Sequence, residues 1–300
     1  MKRLKKSILS ATAVFMTLAV ICLPGVVPVG VSSNAYAAAP ESVDMPKPEA
    51  HEVNNGQDFT NPLTRFDLRY GHQKSSAAPP GHDDMRIVTL RADKPFVLSP
   101  KWLVTMRVDL PFMFTNIPNL NDNPRGNTHF GMSDALMQAL LVHMPNKDFA
   151  WAVGTQMIFP TAGEEEMGTG KYRVVPTVGA RWGTGNILKG SWVALAMRWD
   201  KDFAERRSNS SKVNELQFAP VVNIWLPGYW CINLFPSPDI RYNMGDARKG
   251  DSGRLFLPAN FMLGKMLGKK MVSSIEVGIP IIKDYQYYDF KLETRLGFLF

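Results

Sequence analysis

The sequence predicts an all-β chain, a transmembrane up-and-down antiparallel β-barrel of about 12 strands within its 300 residues. Three observations predict it: a cleavable leader at the N-terminus, apolar–polar alternation with period two through most of the remaining chain, and connections that alternate between long and short. No stretch after residue 37 approaches the ~20 apolar residues that a membrane-spanning helix needs. A membrane location therefore requires a closed barrel, in which every backbone polar group finds an internal partner.

Lys2, Arg3, Lys5 and Lys6 form a basic start, and no acid occurs before Glu41. An apolar stretch from Ile8 to Val29, broken by Pro24 and Gly25, leads to Ala35-Tyr36-Ala37, which places small residues where a signal peptidase reads. Residues 1–37 are expected to be a signal peptide, 38–57 a flexible periplasmic lead-in rich in Pro, Ala, Glu and Asn, and 58–300 the barrel. The formal net charge of +7 is largely the leader's, and the rest offers no clustered basic face for nucleic acid. Cys22 falls in the leader, so Cys231 stands alone after cleavage and no intramolecular disulfide can form.

Alternating segments then follow at 65–70, 85–92, 102–112, 134–143, 149–159, 172–182, 193–199, 216–224, 232–242, 255–263, 275–281 and 288–300. In the third, Trp102, Val104, Met106, Val108, Leu110 and Phe112 share one face, and Thr105, Arg107 and Asp109 the other. In the last, Tyr288, Phe290, Leu292, Thr294, Leu296, Phe298 and Phe300 oppose Asp289, Lys291, Glu293, Arg295 and Gly297. Residues 133–141 also fit an amphipathic helix capped by Ser133, and strand is preferred because both flanking segments are strands. The register of 85–92 stays open. Connections 71–84, 114–128, 160–170, 200–212 and 244–253 are long, whereas 93–100, 144–148, 183–190, 226–228 and 264–270 are shorter. That asymmetry is expected of an outer-membrane barrel with external loops and periplasmic turns.

The direction of each face decides between a soluble barrel and a membrane one. Trp102, Phe112, Phe149, Phe159, Tyr172, Trp182 and Trp199 sit near strand ends on the apolar face, as interfacial girdles require. The opposite face mixes Arg and Lys with Asp and Glu, a pattern able to pair across a wet lumen. The sequence ends on Leu296, Phe298 and Phe300 in one register, which resembles the terminal signal read by the barrel-assembly machinery.

Asn61-Pro62-Leu63-Thr64-Arg65-Phe66-Asp67-Leu68-Arg69-Tyr70, Arg107-Val108-Asp109-Leu110-Pro111, Gly131-Met132-Ser133-Asp134 and Phe159-Pro160-Thr161-Ala162 carry a further reading, joined by the segment Asn214 to Pro220 and by Gly278-Ile279-Pro280. Over nearly the whole mature chain these segments resemble the outer-membrane β-barrel family named for the meta-pathway of phenol degradation, whose members are regarded as transporters. The family usually has Gly-Asp where this chain has Ser133-Asp134, and the late Trp/Gly-rich segments are only partly kept. The resemblance implies the fold and an outer-membrane location, and no particular solute.

The expected function is a narrow channel for small molecules, anionic or aromatic ones included. Its candidate lumen-lining residues are Arg107, Asp109, Asp134, Arg181, Arg198, Glu215, Arg241, Glu276, Glu293 and Arg295. Two alternatives stay open: a closed structural or surface-interaction barrel contacting partners through 114–128 and 200–212, and an outer-membrane lipid-modifying enzyme. A hydrolase needs a histidine to take the serine proton, and His129 near Ser133 is the sole thinkable dyad. No enzyme is expected. No catalytic, cofactor or metal set is expected either, and the acidic runs His82-Asp83-Asp84 and Glu164-Glu165-Glu166 are taken as solvated loop charges. The expected partners are outer-membrane lipid and lipopolysaccharide, the assembly machinery and an unidentified solute.

Overall fold

A computed structural model describes residues 54–74, 81–118, 123–185, 189–206, 212–245, 251–285 and 287–300. The expected signal peptide and residues 38–53 of the lead-in lie outside the described residues. Fourteen strand segments follow: β1 Arg65–Lys74, β2 Asp84–Ser99, β3 Trp102–Thr115, β4 His129–Met132, β5 Ala135–His143, β6 Phe149–Phe159, β7 Lys171–Gly183, β8 Trp192–Glu205, β9 Asn214–Leu226, β10 Trp230–Leu234, β11 Ile240–Asn243, β12 Leu255–Met266, β13 Met271–Lys283 and β14 Phe290–Leu299. All pairings are antiparallel, and β1 closes on β14 from Arg65↔Leu299 to Lys74↔Phe290. β4 and β5 both pair β3, and β10 and β11 both lie between β9 and β12, so the closed barrel has 12 strands.

Both interruptions have a local cause. Between β10 and β11, residues 235–239 face only 219–221 of β9, since Leu234 pairs Val222 and Ile240 pairs Phe218. The insert is Phe235-Pro236-Ser237-Pro238-Asp239: its prolines lack the N–H a ladder needs, and Phe235 adopts φ 49°. Five residues opposite three leave an excess of two, an even number that preserves the in–out alternation, so Asn233 and Arg241 both point inward. The segment 232–242, expected as one strand, is therefore two. Between β4 and β5, residues 133–135 face only 110–111 of β3, because Met132 pairs Phe112 and Leu136 pairs Asp109. One extra residue reverses the faces. Phe130 is 59% exposed on the outside, and a Cβ at Gly131 would meet the Met167 sulfur inside. The stretch that also fitted a helix, 133–141, is strand from Ala135 onward.

Three expectations about boundaries change. β2 runs to Ser99, so 93–100 is mostly strand and the turn is only 100–101. β8 runs to Glu205, which shortens the loop expected at 200–212 and makes the alternation of connection lengths less regular. Tyr288 is fully buried against Phe256 rather than facing outward, because β14 begins at Phe290.

The apolar face is the outer one. Leu195, Met197, Phe261, Ile275 and Ile279 are exposed on strand surfaces, and the charged alternates turn inward. At the end carrying the short turns, Trp102, His143, Trp151, Phe149 and Trp182 pack ring against ring; at the long-loop end Phe112, Phe114 and Phe130 do so, with Tyr172 beside Phe203. Two belts with an apolar band between them match the two interfaces of a bilayer.

Candidate functional site in the barrel lumen

The short-turn end of the lumen is filled from within. Residues 54–63 precede β1 and turn into the barrel, where Asn55, Asp58 and Thr60 are buried. The boundary expected at residue 57 thus marks no change of environment. Asn55 donates to the Cys231 sulfur at 3.1 Å, and the Gly56 carbonyl accepts from Arg65. Phe59 packs on two groups of small and apolar side chains, Trp192 with Ala194, Ala196 and Ala219, and Leu103 with Leu140, Val142 and Ala152. A Cβ on Gly179 would lie 2.7 Å from the Phe59 ring, so glycine is what leaves the ring its place. Asp58 meets Arg181 at 3.2 Å, and Arg181 also donates to the Lys147 carbonyl. Burial pushes the Asp58 carboxyl above its ordinary value, against the pull of Arg181 and of hydrogen bonds from Thr60.

Above this floor the β14–β1–β2–β3 wall is a continuous ion-pair ladder. Asp67 is wholly buried among Arg69 and Arg295, each at 3.1 Å, and Arg65 at 3.7 Å. Asp93 takes Arg65 and Arg107, both at 2.7 Å, Asp109 takes Arg91 through two bonds, and Glu293 takes Arg69 at 2.9 Å. Arg295 also donates to the Asn55 carbonyl, tying ladder to floor. Beside the ladder, Lys291 of β14 bridges Asp239 and Glu276 at 2.8 and 2.9 Å, with Asn260 donating to both acids. Arg241 pairs Glu215 at 2.9 Å and lies 4.0 Å from the Tyr287 ring. Arg173 pairs Asp200 at 2.7 Å.

Two lumen cavities are lined by these charges. A central one of about 260 Å³ rests on Gly56, Gln57 and Phe59 and is lined by Arg107, Glu276 and Glu293 among others. An outer one of about 520 Å³ opens toward the long loops and is lined by Asp134, Arg173, Arg241 and Tyr287 among others. Arg198 and Pro238 line both, so the β8 arginine and the proline-rich insert mark the junction. Every other Arg or Lys lining either cavity has a carboxylate partner. Arg198 has none among the described residues, and its Nε is buried without a hydrogen bond. The groups acting on it electrostatically are mainly cations, Arg107, Arg91 and Arg241, with Asp109 the opposing acid.

All ten expected lumen residues point inward, but they do not form one site. Arg107, Asp109, Glu293 and Arg295 belong to the ladder, Glu276 to the Lys291 cluster, Glu215 to Arg241, and Arg181 to the floor. Asp134 sits in the β4–β5 interruption and accepts from the Thr169 amide and hydroxyl. Leu296 and Phe298 lie on the outward register of β14, and Phe300 follows the strand with its amide donating to the Thr64 carbonyl. Sequence reasoning missed Asp93, because it fell in the connection expected at 93–100, which is strand, and missed the floor, which has no periodicity. His129 Nδ1 lies 2.8 Å from Glu164, and the Ser133 hydroxyl donates to the Met167 carbonyl, so neither engages the other. Among the described residues, one group could chelate a cation: His129, Glu164 and Glu166, with ligand atoms within 4.8 Å of one another.

No protein-family model matches the sequence, and no curated protein does. Solved structures match in fold. The COG4313 outer membrane channel from Pseudomonas putida F1 aligns over 83% of this chain and 100% of that one, with a TM-score of 0.64 and 16% identity. The NanC porin aligns over 78% and 98%, with a TM-score of 0.50 and 13% identity. The chain therefore shares the fold of small outer-membrane channels.

Proposed function

We propose that this chain is an outer-membrane channel for small solutes that favours anions, with Arg198 setting that preference at the junction of the two cavities. One observation carries the reading: a guanidinium without a carboxylate partner among the described residues shares the lining of the two cavities with the guanidiniums of Arg91, Arg107 and Arg241. Such a cluster lowers the energy of an anion that has shed part of its water, and disfavours a cation equally. Kinship with the meta-pathway family, export by the expected signal peptide, contact with lipopolysaccharide and assembly through the terminal Phe300 are parts of the same proposal. No catalytic role is proposed.

Planar-bilayer recording of the refolded protein tests it. Steady unitary steps and an anion-selective reversal potential in a KCl gradient are expected, with selectivity falling toward neutrality in Arg198→Gln. Cation selectivity in the unmodified barrel would overturn it.

The floor at residues 54–63 favours a second reading, a barrel closed at one end that serves as a surface or scaffold element. Silence from protein shown to be inserted, by protease protection and heat-dependent gel mobility, would select that reading.

A further inference from the structure

The outer cavity has two unlike walls. One carries Arg198, Arg173 and Arg241; the other carries Met85, Ile87, Met113, Leu136 and Ile158 on inward registers of β2, β3, β5 and β6. Met85 and Ile87 pack on a small core of Met113, Ala162 and Met167, and with Leu136 they stay only half-buried. Apolar surface left against a wet lumen carries a free-energy cost in proportion to its area. A pathway for simple ions gains nothing from such a wall, whereas a ligand with an apolar body recovers that cost by covering it. At about 520 Å³ the space lies within the ~300–1,000 Å³ usual for small-molecule pockets.

We infer that the outer cavity is a binding site for an amphiphilic monoanion, its carboxylate on Arg198 and its aryl or acyl body against the Met85–Ile87–Leu136 wall. Arg198 suits the head group because Arg173 and Arg241 are already engaged by Asp200 and Glu215. Three acids line the same cavity, and each has a partner that limits its repulsion of a carboxylate: Asp200 is held by Arg173 and Gln217, one oxygen of Asp134 accepts from Thr169, and Glu166 lies 3.7 Å from His129. The inference deepens the channel reading by naming the solute class, and it rests on that reading for its biological use.

Calorimetric titration of the barrel in lipid nanodiscs tests it with three probes: 3-phenylpropanoate, its neutral amide, and propanoate. Saturable binding of 3-phenylpropanoate, about tenfold tighter than either other probe, is expected from one charge-assisted contact plus one buried ring. Arg198→Gln should bring the acid down to the level of the amide, and Ile87→Asn or Leu136→Asn should bring it toward propanoate. Equal affinity for acid and amide, equal affinity for 3-phenylpropanoate and propanoate, or an unchanged acid preference in folded Arg198→Gln each overturns the site. The three-probe comparison on the unmodified barrel decides the matter even if a variant fails to insert. Anion-selective currents without saturable 3-phenylpropanoate binding would sink the site and leave the channel standing; binding in a barrel that conducts nothing would do the reverse.

Discussion

The ladder on β14–β1–β2–β3 and the junction at Arg198 use the same chemical group for opposite ends. Along the ladder, Arg65, Arg69, Arg91, Arg107 and Arg295 each have a carboxylate within 4.0 Å, and Asp67 and Asp93 are almost fully enclosed. At the junction a guanidinium of the same inward register faces open space. A matched buried charge holds the wall, because removing either partner strands the other. An unmatched charge contributes nothing to the wall and is left for whatever enters. Inward direction alone, which alternation supplies, does not separate the two cases; the partner count does.

The largest effect should come from attacking the ladder. Asp67 is wholly buried among three guanidiniums, so Asp67→Asn is expected to destabilise the barrel by about 3–5 kcal/mol, read as urea midpoint in lipid vesicles. Arg198→Gln should move the same midpoint by less than about 1 kcal/mol, since it breaks no ion pair. Equal losses in both variants would erase the distinction between scaffold and recognition charges.

A smaller effect is expected at the floor. Phe59→Ala removes the ring seated by Gly179 and the alanines of β8 and β9. The ring is half-buried, so roughly 1–2 kcal/mol of docking is lost, less than the ~3–5 kcal/mol of a fully buried phenylalanine. The residues 54–63 would then leave the lumen more often, and unitary conductance should rise several-fold with selectivity kept. Unchanged conductance would mean that current does not pass the floor.

Much of this is legible in the sequence. The segment 149–159 matches β6 end to end, because its alternation is uninterrupted and Asn146 and Pro160 bound it. The direction of the faces is legible too, since aromatic belts and inward charge are both written in period two. Other features left no such trace. The five residues from Phe235 to Asp239 exceed the three they face on β9 by two, so Ile232 and Tyr242 keep one parity and the break is silent except for its two prolines. The isolation of Arg198 depends on which acids the neighbouring strands present, and Asp200, two residues away on the same face, is claimed by Arg173 on β7. Pairing of that kind is set by lateral register, which one strand's sequence does not encode.

The smallest effect lies in acid titration of the floor, and its sign runs against intuition. Asp58 contacts Arg181, which suggests that protonation would release the segment. Its carboxyl is nonetheless raised, because loss of hydration outweighs the attraction of Arg181. A carboxyl raised in the docked state binds its proton more readily there than in the free segment. Docking is therefore favoured below the ordinary carboxylate value and weakens as pH climbs through the raised one. Lowering pH from about 7 to about 4 should make the floor dock more firmly and reduce open-channel current, while Asp58→Asn, which mimics the protonated group, should remove the part of that response due to this residue. A current that rises on acidification in the unmodified barrel but not in Asp58→Asn would show that the Arg181 contact, not desolvation, governs the latch.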